Sequence, residues 1–169
     1  MLFFKIRIPE NIKIDIFNDY ILIQKNNIII KKKKMKNILL YKYINNLFFI
    51  ILNNNTVPRN YLTILFNLMW GLEKNFYKQL LLVGIGYKVV IENSKLIFRL
   101  GYSHPLEYIM PSDVKIINPK PQTLIVYGIN LEKVTQIAAE LKKLKAPEPY
   151  KGKGICYFTE KIKLKSGKK

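Results

Sequence analysis

Near the start of the chain, apolar and polar residues alternate. Ile12, Ile14 and Ile16 interleave with Lys13 and Asp15. A period of two predicts a strand with one face buried. Asn18-Asp19 predicts a turn, Tyr20 to Gln24 a returning strand, and Asn26-Asn27 a second turn before Ile28-Ile29-Ile30 runs into Lys31 to Lys34. Apolar runs follow at Ile38 to Tyr43 and Leu47 to Leu52. The second of these is far shorter than the roughly 18 apolar residues of a membrane span and reads as a buried strand. Pro58 suits the first turn of a helix. That helix is predicted from Pro58 to Tyr77, with Leu62, Leu65, Phe66, Met69 and Leu72 on one face.

The second half repeats the scheme. Apolar strands are predicted over Lys78 to Glu92 and Lys95 to Tyr102, joined at Asn93-Ser94, then at Leu106 to Met110, Val114 to Ile117 and Gln122 to Tyr127. A second helix is predicted over Leu131 to Leu144. Asn130 caps it and Glu132 sits in its positive first turn. Leu131, Val134, Ile137, Ala138, Leu141 and Leu144 fall at helical spacing, Lys142, Lys143 and Lys145 suit its negative end, and Pro147 stops it. Each half thus runs from strands into one long helix. Ile8-Pro9-Glu10-Asn11-Ile12-Lys13-Ile14 also aligns with Met110-Pro111-Ser112-Asp113-Val114-Lys115-Ile116, which predicts a duplication. The expected domains are residues 1–78 and 79–169.

Charge narrows the functional classes. The 169 residues carry 29 Lys+Arg against 11 Asp+Glu, a formal net charge of +18. Such an excess favours a polyanionic partner, either nucleic acid or an anionic membrane surface. Self-repulsion argues against high stability of the isolated protein, which should gain order from its partner; no homo-oligomer is expected. Arginine occurs only at Arg7, Arg59 and Arg99, so phosphate contacts fall to lysine, which binds as a point charge without a bidentate fork. The excess of lysine, isoleucine and asparagine fits an AT-rich gene. Cys156 is the only cysteine, so neither an internal disulfide nor a cysteine metal cage is possible. No cofactor is expected.

The strongest candidate for chemistry is Pro147-Glu148-Pro149-Tyr150-Lys151-Gly152-Lys153-Gly154-Ile155. Its prolines fix φ, and Gly152 and Gly154 allow the backbone to approach a ligand closely. In an extended chain Lys151 and Lys153 would project to one side. Further on, Lys161, Lys163 and Lys165 alternate with Ile162 and Leu164, ahead of Lys168 and Lys169. This pattern predicts a phosphate-gripping strip. Tyr150 either stacks on a base or ribose, or packs over the neighbouring prolines. His104, the only histidine, sits in Gly101-Tyr102-Ser103-His104-Pro105 with no acid, base or metal set that would make it catalytic. Gly84-Ile85-Gly86 reads as close packing inside an apolar strand, and Gly152-Lys153-Gly154 lacks the remaining residues of a nucleotide loop. The Lys31 to Lys34 run reads equally well as a solvated strand end.

Three ordered stretches carry a family resemblance: Val83-Gly84-Ile85-Gly86-Tyr87, Leu100-Gly101-Tyr102-Ser103-His104-Pro105, and the strip from Pro147 to Ile155. Together they resemble the large-subunit ribosomal protein six family of bacterial and organellar type. The resemblance implies an α+β fold of two similar tandem domains, each an antiparallel β-sheet packed against one long helix, with a basic C-terminal extension. It implies a non-enzymatic constituent of the large ribosomal subunit, with large-subunit rRNA and neighbouring ribosomal proteins as partners and translation factors nearby. Tyr150, Lys151, Gly152, Lys153, Gly154, Lys161, Lys163, Lys165, Lys168 and Lys169 are the expected RNA contacts, joined by Ser103 and His104. Combined with the composition, it points to an organellar ribosome, with mitochondrion ahead of plastid. Three positions depart from the family pattern. Cys156 stands where arginine is common, Lys145-Ala146 keeps one charge of a usual basic pair, and an arginine is missing near Leu62. The competing expectation is a basic protein on anionic membranes, which would need an amphipathic helix with lysines along one face.

Overall fold

The computed structural model describes residues 2–35, 38–44, 46–51 and 57–166. The chain divides into two compact units, Met1–Asn75 and Phe76–Lys169. Its class is α+β, with antiparallel sheets and one long helix in each unit.

In the first unit, β1 (Leu2–Arg7), β5 (Ile38–Tyr43) and β6 (Asn46–Ile51) form a sheet of order β1-β6-β5. A second sheet, β2-β3-β4, is a meander of β2 (Lys13–Ile16), β3 (Tyr20–Lys25) and β4 (Ile28–Lys33). The alternation at Ile12, Ile14 and Ile16 does place Ile12 and Ile14 in the core, with Ile21 and Ile23 of the paired strand β3. Helix α1 (Val57–Lys74) buries Tyr61, Leu62, Leu65, Leu68, Met69 and Leu72. Phe66, expected on that stripe, is instead 47% exposed and stacks with Trp70. At 100° per residue it lies just outside the arc that the six buried residues define. The helix also stops short of Tyr77. Asn75 takes a left-handed φ of 55°, and its N–H donates to the Gly71 carbonyl. The Lys25 ammonium donates to the carbonyls of Leu72 and Glu73 at 2.8 and 3.2 Å, which satisfies the end of the helix.

In the second unit, β7 (Phe76–Val83), β11 (Lys115–Lys120), β12 (Thr123–Gly128) and β13 (Gly154–Tyr157) form a sheet of order β11-β12-β7-β13. The strands β8 (Lys88–Glu92), β9 (Lys95–Arg99) and β10 (Leu106–Ile109) make a meander. Asn93 and Ser94 both have positive φ, as a tight hairpin turn requires. Helix α2 (Leu131–Lys143) begins where the sequence places it: the Asn130 side chain accepts the Glu132 N–H at 3.0 Å. Val134, Ile137, Ala138 and Leu141 seal the core with Leu80, Leu82, Phe98, Leu124, Val126 and Ile155.

The predicted strand from Lys78 to Glu92 is two strands. Gly84 to Tyr87 is a turn, closed by the Tyr87 N–H to the Gly84 carbonyl, so the two glycines do not lie within a strand. The duplication is visible in the topology, with a different alignment from the one the seven-residue match suggests. The set β1-β6-β5 corresponds to β7-β12-β11, and β2-β3-β4 to β8-β9-β10, each followed by its helix. The turn from Pro9 to Ile12 therefore corresponds to Gly84–Tyr87, not to Pro111–Val114. All three turns share one hydrogen bond between the first carbonyl and the fourth N–H, which explains the misleading likeness. Strand β13 has no counterpart in the first unit among the described residues.

Candidate nucleic-acid interface

After α2, the chain folds into a compact loop rather than an extended strip. The Glu148 N–H donates to the Lys153 carbonyl and the Gly152 N–H to the Glu148 carbonyl, both at 2.9 Å. Residues 149–151 form the turn and Gly152 adopts φ +68°. The period-two argument for Lys151 and Lys153 therefore does not apply: Lys151 is exposed and Lys153 half-buried. The chain then enters β13, whose Ile155 N–H bonds the Lys145 carbonyl at 2.8 Å.

The glycines have an internal reason. Both are buried. A Cβ on Gly154 would lie 2.7 Å from the Ala146 carbonyl oxygen and from Pro147 Cα, and this glycine sits at φ +147°. A Cβ on Gly152 would meet Leu164 Cδ2 at 3.5 Å and Ile162 Cδ1 at 3.8 Å. Ile162 and Leu164 thus reach toward Gly152, although Leu164 stays 60% exposed, as Lys161, Lys163 and Lys165 also are exposed. The Lys165 N–H bonds the Pro149 carbonyl at 2.8 Å and ties tail to loop. Residues 161–166 have no regular secondary structure, and Lys168 and Lys169 lie outside the described residues.

The base of the tail is fixed by Glu160. Its carboxylate takes the Lys142 ammonium at 2.6 and 2.7 Å and the Tyr157 N–H at 3.1 Å. The bond to Lys142 is the main cause that holds this carboxyl below its usual range. Lys142 is consequently committed to structure, whereas Lys143 is exposed. Cys156 is buried in β13, and burial pushes its thiol up.

The three stretches singled out in the sequence meet here. Tyr87 packs over Gly84 and reaches Gly101, where a Cβ would lie 3.2 Å from its ring. The Tyr102 hydroxyl donates to the Leu144 carbonyl at 3.1 Å. The Lys145 ammonium lies 4.1 Å from the Tyr102 ring centroid and 5.8 Å from that of Tyr87, within cation–π range. The loop holding Ser103 and His104 is thereby fastened beside the end of α2, just ahead of the Ala146-Pro147 step. Ser103 and His104 are exposed, with Oγ and Nδ1 at 3.5 Å. Tyr150 is 53% exposed. The sequence motifs contain Tyr87 and Tyr102 but reveal no role for either, and nothing in them points to the Glu160 anchor. A helix lysine paired with a glutamate beyond a later strand leaves no periodic signal.

Residues 83–158 match the family model for ribosomal protein L6. Over this stretch the chain is similar to ribosomal protein L6. Among curated relatives, large ribosomal subunit protein uL6 of Fervidobacterium nodosum is 44% identical over 109 residues, and that of Thermosipho africanus 45% over the same length. Protein uL6m of Reclinomonas americana is 43% identical over 109 residues. Each alignment covers 64% of this chain and 59% of the relative, so the match spans about three fifths of the length of these L6 proteins. The family is a structural, non-enzymatic one. No group of three or more metal-ligating side chains occurs among the described residues.

Proposed function

We propose that this L6-like chain is a structural constituent of the large ribosomal subunit that binds rRNA through its second unit. The observation that carries the reading is the convergence of the three family stretches around Lys145 and the loop that carries Lys151 and Lys153, with Lys143, Lys161, Lys163 and Lys165 exposed on the flanking segments. Lysines on a folded loop neutralise phosphates at fixed spacing, which suits recognition of RNA shape rather than of base edges. Ser103, His104 and Tyr150, in the same stretches, are additional contacts. Neighbouring ribosomal proteins complete the site, and the position is near the region that translation factors touch. The uL6m relative and the lysine-, isoleucine- and asparagine-rich composition support an organellar ribosome, mitochondrial in our reading.

The membrane alternative lacks support. Helix α2 bunches Lys142 and Lys143 in its last turn and gives its apolar face to the sheet. Among the described residues no helix is long and apolar enough to cross a membrane. The test is sedimentation of the tagged chain from gently lysed organelles, with and without ribonuclease. Co-migration with the large subunit that disappears on digestion supports the proposal. Sedimentation with membranes regardless of ribonuclease overturns it.

A further inference from the structure

Among the described residues, the duplication leaves one place unfilled. In the second unit, β13 pairs antiparallel with the outer edge of β7, Gly154 opposite Val83 through Tyr157 opposite Leu80, and it also packs against α2. The counterpart of β7 in the first unit is β1, which pairs only with β6 among the described residues. Beside it, between β1 and α1, runs a groove of about 550 Å³. Ile6 and Ile8 line it from the strand side, and Phe66, Met69, Trp70 and Glu73 from the helix. Phe66 and Trp70 are exposed large apolar side chains on an otherwise well-packed helix. An open strand edge with an apolar wall is a template for strand addition.

We infer that this groove accepts an extended segment of a different protein, added antiparallel to β1 as β13 is added to β7. Charge decides among occupants. Acidic residues are scarce in this chain, 11 against 29 basic ones, yet Glu10 and Glu73 both line the groove. Two carboxylates there, on a molecule of net charge +18, make it a poor seat for phosphates. A segment with alternating apolar residues and a basic side chain toward the two glutamates fits it. A second copy is disfavoured by like charge, and the β13 of that copy is already paired within its own unit.

The test places a photoreactive phenylalanine analogue at Phe66 of the full chain, recovers the particle with which the chain sediments, and irradiates it. The expected adduct joins position 66 to one segment of another polypeptide. Amide exchange across Leu2–Arg7 should be slower by about tenfold or more in the particle than in the isolated chain. Because Glu10 and Glu73 are both exposed, Glu10→Lys with Glu73→Lys should leave the circular dichroism unchanged while reducing the adduct about tenfold or more. An adduct to RNA, to a second copy or within this chain overturns the inference. So does an adduct that survives the double reversal, or exchange in β1 that matches the isolated chain. The particle in which the chain sediments reads the ribosomal proposal separately, so either can fail alone.

Discussion

Gly154→Ala separates two reasons for a glycine in the basic loop. If the residue is small so that RNA can approach, alanine weakens binding and leaves the free protein intact. The geometry demands the opposite. The added Cβ would sit 2.7 Å from Ala146 O and Pro147 Cα, both backbone atoms that no side-chain rotation can move. Relieving that overlap shifts the chain, at a cost of about 1–3 kcal/mol typical of overpacking. The φ of +147° adds strain of order 1–3 kcal/mol for a residue with a Cβ. Together these give roughly 2–6 kcal/mol, a large part of the typical stability of a domain, about 5–15 kcal/mol. Gly152→Ala is the internal control. Its Cβ would make ordinary contacts at 3.5 and 3.8 Å, so only the φ of +68° acts, costing about 1–2 kcal/mol. Urea unfolding of the free full-length chain, followed by far-ultraviolet circular dichroism, measures both. Two results would refute the packing account: Gly154→Ala within about 0.5 kcal/mol of wild type, the scatter of neutral substitutions, or a destabilisation smaller than that of Gly152→Ala.

Lys151→Ala with Lys153→Ala should weaken rRNA binding and reduce its log–log salt slope, by about 0.9 for each phosphate no longer neutralised on a duplex, and similarly on RNA; filter binding across a salt series reads this, and an unchanged slope removes the loop as anchor. Tyr61 is buried, donates to the Lys33 carbonyl at 3.0 Å, and burial pushes its hydroxyl from 10.0 up to about 12. Its raised folded-state value means that stability is intact below about pH 10 and falls as pH rises from 10 toward 12. The full decline is of order 2–3 kcal/mol. Tyr61→Phe should flatten it in denaturation curves, after a cost of about 1 kcal/mol for the missing hydrogen bond. Glu160→Gln should loosen the tail, seen as faster amide exchange at Tyr157 and in residues 161–166. Glu160 is held low in the folded state, so its contribution is present above roughly pH 4.3, its unfolded value, and fades as pH falls through the lower folded value.

Sequence is informative where a local cause acts. Asn130 caps α2, Asn93-Ser94 turns a hairpin, and Ile12 and Ile14 are buried by strict alternation, each set by neighbours within a few residues. The class of fold and the likeness to ribosomal protein L6 are legible for the same reason, since each of the three stretches is contiguous in sequence. Register between distant segments is not. The match of Ile8–Ile14 to Met110–Ile116 reflects a shared turn, because proline-led strand entries look alike wherever they occur. Likewise Gly152 and Gly154 resemble ligand-facing glycines, since sequence cannot reveal that Leu164, Ile162 and Ala146 come back to cover them. Phe66 falls at the angular edge of a stripe, where spacing alone decides poorly, and its exposure is informative about the first unit's groove.

The pairing of β13 with β7 has a kinetic consequence. The two strands are about 70 residues apart, so their ladder is a high-contact-order step, slow because the intervening chain must first be ordered. During synthesis β7 waits with one edge open until Gly154–Tyr157 arrives. A chain halted before Gly154 would carry a sticky, half-finished sheet prone to pairing with other molecules. Because Ile155 of that strand bonds the Lys145 carbonyl at the base of the lysine loop and pairs with Leu82 of β7, closure of the sheet holds the loop in place. Arrival of β13 therefore works as a completion check: an unfinished molecule lacks the shaped lysine loop.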